Sequence, residues 1–528
     1  MSRGIRAVQA LIPVLFLTVM VAWPIYSVMK RSLADSGPAD VLEVLSRGSV
    51  GRVLLFTIWQ ALASAGLTLL VGLPIAHALS RYRFRGRAAL RAFVVIPFVL
   101  PTVVVAAAFD AVFERFAIPA DRTIWAVLLA HVFFNVAVVV RVVGGYWARV
   151  DRRQLEVAAT LGASPLRVWF SITLRQLGPV LAGSFLLVFL FSFTSFGVIR
   201  ILGGLRRATV ETEIYRYAIS RQEFDVAAIL AGLQIVVVLV LSVLAAGFQR
   251  RHASVQQGNS RPVPVNTGRR RVHLGGVLVL VAVVLGAPIV VLVEQSLQVG
   301  SGYGFDNYRL LTERVNLLPV SAAAALQRSV LFALIAAAVA AGVGLAASFV
   351  IERGGVVGRA LETLALLPLG ISAVTLGFGY LLGFTLFDLR RSTWLVPVAH
   401  AVIGLPFVLA AVLPALRSIN PRVREAAATL GASPAVVRRT VDWPLIRRAL
   451  TTGAGFAAAV SLGEFGATSF LGRGQDTFTA PLAVFRLLSN PGQQLRGQAL
   501  ALSVIIGVLV AGLAALIEFR RDEGVSLL

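Results

Sequence analysis

The sequence lacks most of the residues on which enzymes and metalloproteins depend. Its 528 residues include no cysteine, which excludes disulfides and thiolate metal sites. The single lysine, Lys30, follows Ser27-Val28-Met29, whereas the lysine of a phosphate-binding loop follows a glycine-rich turn. The five histidines are scattered without metal-ligand spacing. We therefore predict no catalytic residue, no ATPase site in this chain, no cofactor and no metal.

Charged residues are scarce as well. With 14% charged and 57% hydrophobic residues, the composition is not that of a soluble globular protein. The formal net charge of +24 reflects arginines that lie between apolar runs, where membrane proteins carry their topology signals. This distribution predicts contact with membrane lipid and argues against nucleic acid as a partner.

Apolar runs long enough to cross a bilayer recur along the whole chain. The first is too long for a signal peptide and lacks a small-residue cleavage pattern, so we interpret it as an anchor helix. The runs predict an all-α polytopic membrane protein with twelve transmembrane helices. They lie at 7–29, 53–80, 92–109, 124–140, 177–199, 226–249, 274–293, 329–351, 363–387, 393–416, 449–470 and 497–517. We expect Pro97 and Pro368 to kink the third and ninth helices.

One ten-residue stretch occurs twice. Residues 156–165, Glu-Val-Ala-Ala-Thr-Leu-Gly-Ala-Ser-Pro, return at 425–434 with nine of ten positions identical, at an offset of 425 − 156 = 269. A fixed offset indicates an internal repeat. Further pairs at this offset are Ala130-His131 with Ala399-His400, and Ser195-Phe196-Gly197 with Glu464-Phe465-Gly466. We predict two parallel six-helix repeats, 1–249 and 272–528, joined by a flexible linker at 250–271.

The arginines also predict the orientation in the membrane. Five of them crowd residues 81–91, a short stretch without an acidic residue, and both copies of the repeated stretch lie in basic surroundings. The positive-inside rule places this stretch, both repeated loops and the linker in the cytoplasm. Six predicted helices separate the two loops, so both face the same side. Both termini are then cytoplasmic.

Each repeated loop predicts a helix, a turn and a second helix. Gly162 and Gly431 end the first helices, with a positive φ in each turn. Asn420 before Pro421, and Asp151 with Gln154 in a capping box, begin those helices. Ser164-Pro165 and Ser433-Pro434 begin the second helices as an N-cap and a first residue.

The second loop resembles the coupling loop of bacterial ABC importer permeases, whose pattern is E-A-A, three residues, G, nine residues and I-x-L-P. Glu425-Ala426-Ala427, Gly431 and Val441-Asp442-Trp443-Pro444 stand at these positions. The first copy has Val157 for the first alanine, keeps Ile172 and Leu174, and has Arg175 for the final proline. The resemblance implies that the loops contact an ATPase. The implied coupling residues are Glu156, Ala158, Ala159, Gly162, Glu425, Ala426, Ala427 and Gly431.

The resemblance covers nearly the whole chain and implies a fused inner-membrane permease of a binding-protein-dependent ABC importer. Its implied partners are two copies of an ABC ATPase subunit, one per loop, and an extracytoplasmic solute-binding protein. Further segments resemble the ferric-iron and thiamine permeases, so we expect one of these cargoes. Those segments are 130–135, Leu202-Gly203-Gly204, 211–215 and 461–466.

A secondary transporter, also often built from two six-helix halves, is the alternative, and a channel is a third class. A secondary transporter needs protonatable or ion-binding groups near the middle of the membrane. Eleven of the twelve runs contain no Asp, Glu, Lys or Arg, and Glu464 is the exception. Glu464 and its counterpart Ser195 are candidates for the translocation path, and the alternative for Glu464 is a boundary position in water. We expect His131 and His400 to pack or to form hydrogen bonds rather than to bind a ligand.

Overall fold

The computed structural model describes residues 3–33, 37–119, 123–204, 207–251, 262–384, 392–472 and 474–519. Most of these residues are helical. The helices are α1 (Arg3–Leu17), α2 (Trp23–Leu33), α3 (Pro38–Ser46), α4 (Gly48–Arg81), α5 (Arg87–Val99), α6 (Thr102–Arg115), α7 (Trp125–Trp147), α8 (Arg152–Thr160), α9 (Pro165–Val168), α10 (Leu174–Phe193), α11 (Gly197–Leu202), α12 (Val210–Tyr215), α13 (Phe224–Arg251), α14 (Gly268–Val281), α15 (Ala287–Leu297), α16 (Asp306–Arg309), α17 (Ala322–Glu352), α18 (Gly355–Gly370), α19 (Ala373–Gly383), α20 (Leu395–Arg417), α21 (Pro421–Thr429), α22 (Pro434–Val437), α23 (Trp443–Gly463), α24 (Gly466–Leu471), α25 (Ala480–Leu488) and α26 (Gln493–Phe519).

Short segments of other geometry connect several of these helices. Single π-helical turns join consecutive helices at Thr18–Ala22, Trp169–Thr173, Arg216–Arg221, Ala282–Gly286 and Arg438–Asp442. Strand β1 (Tyr82–Arg83) pairs in parallel with β2 (Val263–Pro264), with Tyr82 opposite Val263. Strand β3 (Gln298–Val299) pairs antiparallel with β4 (Gly302–Tyr303). Within the predicted linker 250–271, residues 252–261 lie outside the described residues.

The described part of the chain has nine helices long and apolar enough to cross a membrane, or eleven if two sharply bent pairs count as one span each. The protein is thus a polytopic helical membrane protein. The predicted eleventh run, 449–470, is not among them, because α23 includes Arg447 and Arg448 and the helix stops at Gly463. Its remainder forms the separate helix α24.

The two bent pairs differ from the predicted proline kinks. Pro97 lies inside α5, and the bend of 102° comes after it, between α5 and α6. Pro368 likewise lies inside α18, and the bend of 111° follows between α18 and α19. In this second pair, the chain turns at Ser372. Its side chain accepts hydrogen bonds from the backbone of Val374 and Thr375 and so begins α19.

The chain forms two compact units that do not follow the sequence order. One comprises residues 1–46, 213–233 and 297–528, and the other 47–212 and 234–296. The first helices, α1 and α2, therefore belong with the later helices, where the Tyr380 hydroxyl donates to the Met20 carbonyl at 2.8 Å. Helices α14 and α15 belong with α4 to α11. The repeat boundaries 1–249 and 272–528 concern the sequence duplication and stay a prediction.

Each unit is built on three closely packed long helices. In the unit of 47–212 and 234–296 these are α4, α7 and α10, and in the other unit they are α17, α20 and α23. A Cβ built on Gly72 would lie 2.7 Å from the Val139 side chain, and one built on Gly344 would lie 2.7 Å from Val408. Such distances require glycine, so in both units a small residue lets two helices approach at matching positions.

Candidate functional site

The two repeated loops have the predicted helix–turn–helix form. Asp151 accepts a hydrogen bond from the Arg153 amide at 2.9 Å, and Asn420 from the Arg422 amide at 3.0 Å, so both first helices are capped. Gln154 does not complete the expected capping box: its side-chain oxygen accepts from Gln176 of α10 at 2.5 Å. Ser164 and Ser433 cap the second helices, each with a proline at the first position.

The turn between the two helices is also the same in both loops. Gly162 and Gly431 have φ values of +81° and +82°. The amides of Ala163 and Gly162 donate back to Ala158 and Ala159, and Ala432 and Gly431 repeat this pattern with Ala427 and Ala428, at 3.0 Å in each case. This is the Schellman arrangement, in which a left-handed residue closes the helix end. The predicted positive φ of both glycines is confirmed.

Both loops present an exposed apolar side chain that was not predicted as a functional residue from the sequence. Leu161 is 81% exposed and Leu430 is 88% exposed. Each is the C-cap residue directly before its glycine, and Glu156 or Glu425 on the preceding helix is also exposed. These leucines are the two most exposed large hydrophobic side chains of the described residues. The sequence contains a signal that could have identified these residues, because the two repeated, polar-edged loops keep leucine at this position.

The two loops are attached to their own units by different contacts. Arg424 of α21 contacts Asp442 through Nε at 2.7 Å and Glu352 through Nη1 at 2.6 Å. Burial lowers the pKa of Arg424, but hydrogen bonds to Glu352 and Asp442 outweigh burial and raise it. In the first loop, the Gln176 side chain of α10 donates a neutral hydrogen bond to Gln154 of α8.

A buried histidine lies at a matching position in each unit. His131 is within hydrogen-bonding distance of Ser64 and Ser195, with ring nitrogen to hydroxyl distances of 2.9 Å. His400 lies 2.8 Å from the Ser461 hydroxyl and 2.7 Å from that of Thr468. Both rings are 2% exposed. The expectation that these histidines pack and form hydrogen bonds is confirmed.

Glu464 lies beside His400, with its Oε2 3.2 Å from the histidine Nε2. The carboxylate accepts from the amides of Ala467 at 2.8 Å and Thr468 at 2.9 Å, at the start of α24. It also accepts from the Thr468 hydroxyl at 2.5 Å. The residue is 6% exposed, so protein encloses its carboxylate. Its place on a translocation path stays a prediction, as does that of Ser195.

The family of binding-protein-dependent transport system inner membrane components matches the chain twice, at residues 68–254 and 317–521. The two matches cover well over half of the sequence. The chain belongs to this family. It is the inner-membrane permease of an ABC importer, and no observation favours the alternative of a secondary transporter.

Two thiamine transport permeases match most of this permease, and a sulfate transport permease matches less than half of it. It is 28% identical over 482 residues to the thiamine transport system permease protein of Brucella abortus, covering 88% of the chain and 86% of the relative. It is 26% identical over 488 residues to the protein of the same description from Escherichia coli, covering 85% and 86%. The sulfate transport system permease protein of Escherichia coli is 28% identical over 254 residues, which are 45% of this permease and 91% of that relative.

The structure brings some predicted residues of the permease together and leaves others apart. Within each loop the glutamate, the alanines and the glycine lie on one helix and its closing turn. Ser195 and Glu464 lie away from the loops. Ser195 is next to the buried His131 of one unit, and Glu464 is next to the buried His400 of the other. The predicted coupling and path residues are therefore separate sites.

Proposed function

We propose that this permease forms the membrane path of a thiamine importer and that ATP hydrolysis on partner subunits drives transport. The observation that carries the proposal is the match to thiamine permeases over 88% of the chain. Ferric iron, the other expected cargo, has no support from the relatives described above. The permease itself has no catalytic residue in this proposal, and the ATPase site lies on the partner.

The test is uptake of labelled thiamine by cells that express this permease with its ATPase and binding protein but lack other thiamine transport. Saturable uptake that depends on all three proteins is expected. Sulfate serves as one competing cargo, because one of the relatives is a sulfate transport permease. Ferric iron serves as the other, because it is the second cargo expected from the sequence. Uptake of one of these instead of thiamine would contradict the cargo and leave the importer role intact.

The two repeated loops are proposed as the docking sites for two copies of the ATPase subunit. They share caps, a Schellman turn and an exposed leucine, so one kind of partner surface fits both. Coupling is assigned to the loop residues Glu156, Ala158, Ala159, Gly162, Glu425, Ala426, Ala427 and Gly431. An extracytoplasmic solute-binding protein delivers the cargo on the opposite side.

The proposed topology has twelve membrane helices, with both termini, both loops and the linker in the cytoplasm. It predicts that Ser260→Cys is labelled by an impermeant thiol reagent only after the cells are opened. Tyr303→Cys, at an exposed position of β4, is the matched control and should be labelled from outside. The native chain has no cysteine that could confuse the result. Labelling of Ser260→Cys in intact cells would reverse the orientation.

Glu464 and Ser195 are proposed to lie beside the translocation path. Glu464→Gln keeps the shape of the side chain and removes the negative charge of the carboxylate, which accepts three hydrogen bonds at the start of α24. Because bonds to a charged acceptor are about twice as strong as neutral ones, we expect roughly a tenfold slower uptake with ATPase association unchanged. Unchanged transport by Glu464→Gln would remove this residue from the path. The measurement is initial uptake rate per permease in the membrane.

A further inference from the structure

The second coupling loop is joined to the helices of its own unit by one arginine. Arg424 lies on α21, where it is partly buried while Arg422 and Glu425 on the same helix are exposed. Its guanidinium donates through Nη1 to Glu352 at 2.6 Å and through Nε to Asp442 at 2.7 Å. These charge-assisted bonds have the short distances of strong pairs.

The two carboxylates belong to different helices of the same packed core. Glu352 is the last residue of α17, and Asp442 ends the π-helical turn that leads into α23. Helices α17 and α23 pack against each other and against α20 around a cluster that includes Ala336, Val408 and Ala457. One side chain of the loop therefore reaches the ends of two of the three core helices.

The geometry of the guanidinium explains why arginine is suited to this place. Its planar fork offers several N–H donors in fixed directions, so one side chain bonds two carboxylates at once. Asp442 is 4% exposed, and its charge would lie buried without a partner if Arg424 were removed. The link is therefore stiff, because exchanging either bond to Arg424 for a bond to water would cost free energy.

The first loop has no arginine at the position that matches Arg424. At the offset of 269, Leu155 stands in place of Arg424 and Thr173 in place of Asp442. Helix α4, the counterpart of α17, ends at Arg81 instead of a glutamate. The contact described there, between the side chains of Gln154 and Gln176, is neutral and joins α8 to α10.

We propose that Arg424 is a positioning residue that transmits motion between the second coupling loop and the ends of α17 and α23, so that the two loops contribute unequally to transport. This inference rests on the proposed docking of the ATPase at the loops. Coupling between distant sites needs a physical element that both sites bias. The Glu352–Arg424–Asp442 link is such an element, and Leu155 and Thr173 of the first half cannot form its charged bonds.

The test compares Arg424→Gln with Arg417→Gln in the complete transporter. Both variants remove one positive charge that contacts a glutamate of the same unit, but Arg417 lies on α20, outside the docking loop, and is exposed, 3.4 Å from Glu362, so it serves as the control. For Arg424→Gln we expect normal membrane level, ATPase association within about twofold of wild type, and about tenfold less cargo moved per ATP hydrolysed. Arg417→Gln should transport normally. Arg424→Lys should recover part of the ratio, because lysine keeps the charge without the fork.

Two further measurements separate coupling from folding. If Arg424→Gln lowers membrane level and thermal stability while cargo per ATP stays constant, the residue is only structural and the proposal is overturned. The triple variant Glu352→Gln, Arg424→Gln, Asp442→Asn removes the unpaired charges without restoring the link. It should regain stability but not the transport ratio, and a recovered ratio would contradict the inference.

Failure of the docking proposal would look different. If turn variants at Gly431 bind ATPase normally, the loop is not the docking site, whatever Arg424→Gln does. If those variants lose the ATPase but Arg424→Gln couples normally, docking stands and the arginine link is not used.

Discussion

A permease that carries both Leu161→Asp and Leu430→Asp should reach the membrane at the wild-type level and lose its ATPase partner. Both leucines are more than four-fifths exposed, so neither contributes to the packing of its own unit. Covering a leucine side chain by a partner contributes about 1.5–3 kcal/mol, and an aspartate at the same place adds a charge that the partner must desolvate. Pull-down of the ATPase with the solubilised permease is the measurement.

The single replacements should weaken association by about tenfold to a hundredfold each, since a few buried anchors dominate most interfaces. Leu166→Asp is the control, because Leu166 is an exposed leucine of the first loop whose counterpart at the offset of 269 is Ala435. It is not one of the shared anchors and should bind within about threefold of wild type. If the double variant retains its ATPase and transports, the exposed leucines do not dock the partner.

Local structure of the loops follows from the sequence because each signal acts within one helical turn. Asn420 caps a helix that begins at the next residue, Pro421, and Gly431 closes it ten residues later with the expected positive φ. Ser164 and Ser433 behave alike for the same reason. The capping box at Asp151 was wrong because Gln154 has a competing partner in Gln176, twenty-two residues away.

Non-local features were beyond such reasoning. The apolar run 449–470 predicts one helix, but the Glu464 carboxylate binds the amides of Ala467 and Thr468 and starts a new helix there. The run has the right composition, yet a side chain decides where it breaks. Similarly, no periodicity indicates that α1 and α2 belong with residues 297–528. The Arg424 link joins residues 72 and 18 positions apart, so spacing alone does not reveal it.

The number of membrane helices shows the same limit. Hydropathy identifies most spans, because a long charge-free helix leaves little choice of environment. Hydropathy predicts one continuous helix where the chain is in fact bent, as in the pair α5 and α6 with its bend of 102°. Composition reports the environment of a segment, whereas the direction of the chain depends on caps and on neighbouring helices.

Replacing both Gly162 and Gly431 with valine should abolish ATPase association and leave the membrane core folded. A Cβ added at either glycine meets no atom within 4 Å, so space is not the constraint. The constraint is the backbone, because φ values of +81° and +82° are costly for a β-branched residue. The strain is about 1–3 kcal/mol at each site, and relieving it opens the Schellman turn that orients Leu161 or Leu430.

Asparagine at the same positions is the matched control for this prediction. Asparagine adopts the left-handed conformation more readily than other residues with a side chain, so Gly162→Asn and Gly431→Asn should retain most ATPase binding. Each single valine variant should weaken binding by about fivefold to a hundredfold, the range that corresponds to the strain.

We expect the second loop to be the more sensitive, because it is closer to the coupling-loop pattern and keeps Pro444 where the first has Arg175. ATPase pull-down is measured beside the membrane level and thiamine uptake of every variant. Normal binding and uptake by the double valine variant would show that these turns do not shape the docking surface, and the coupling role of both loops would be lost with them.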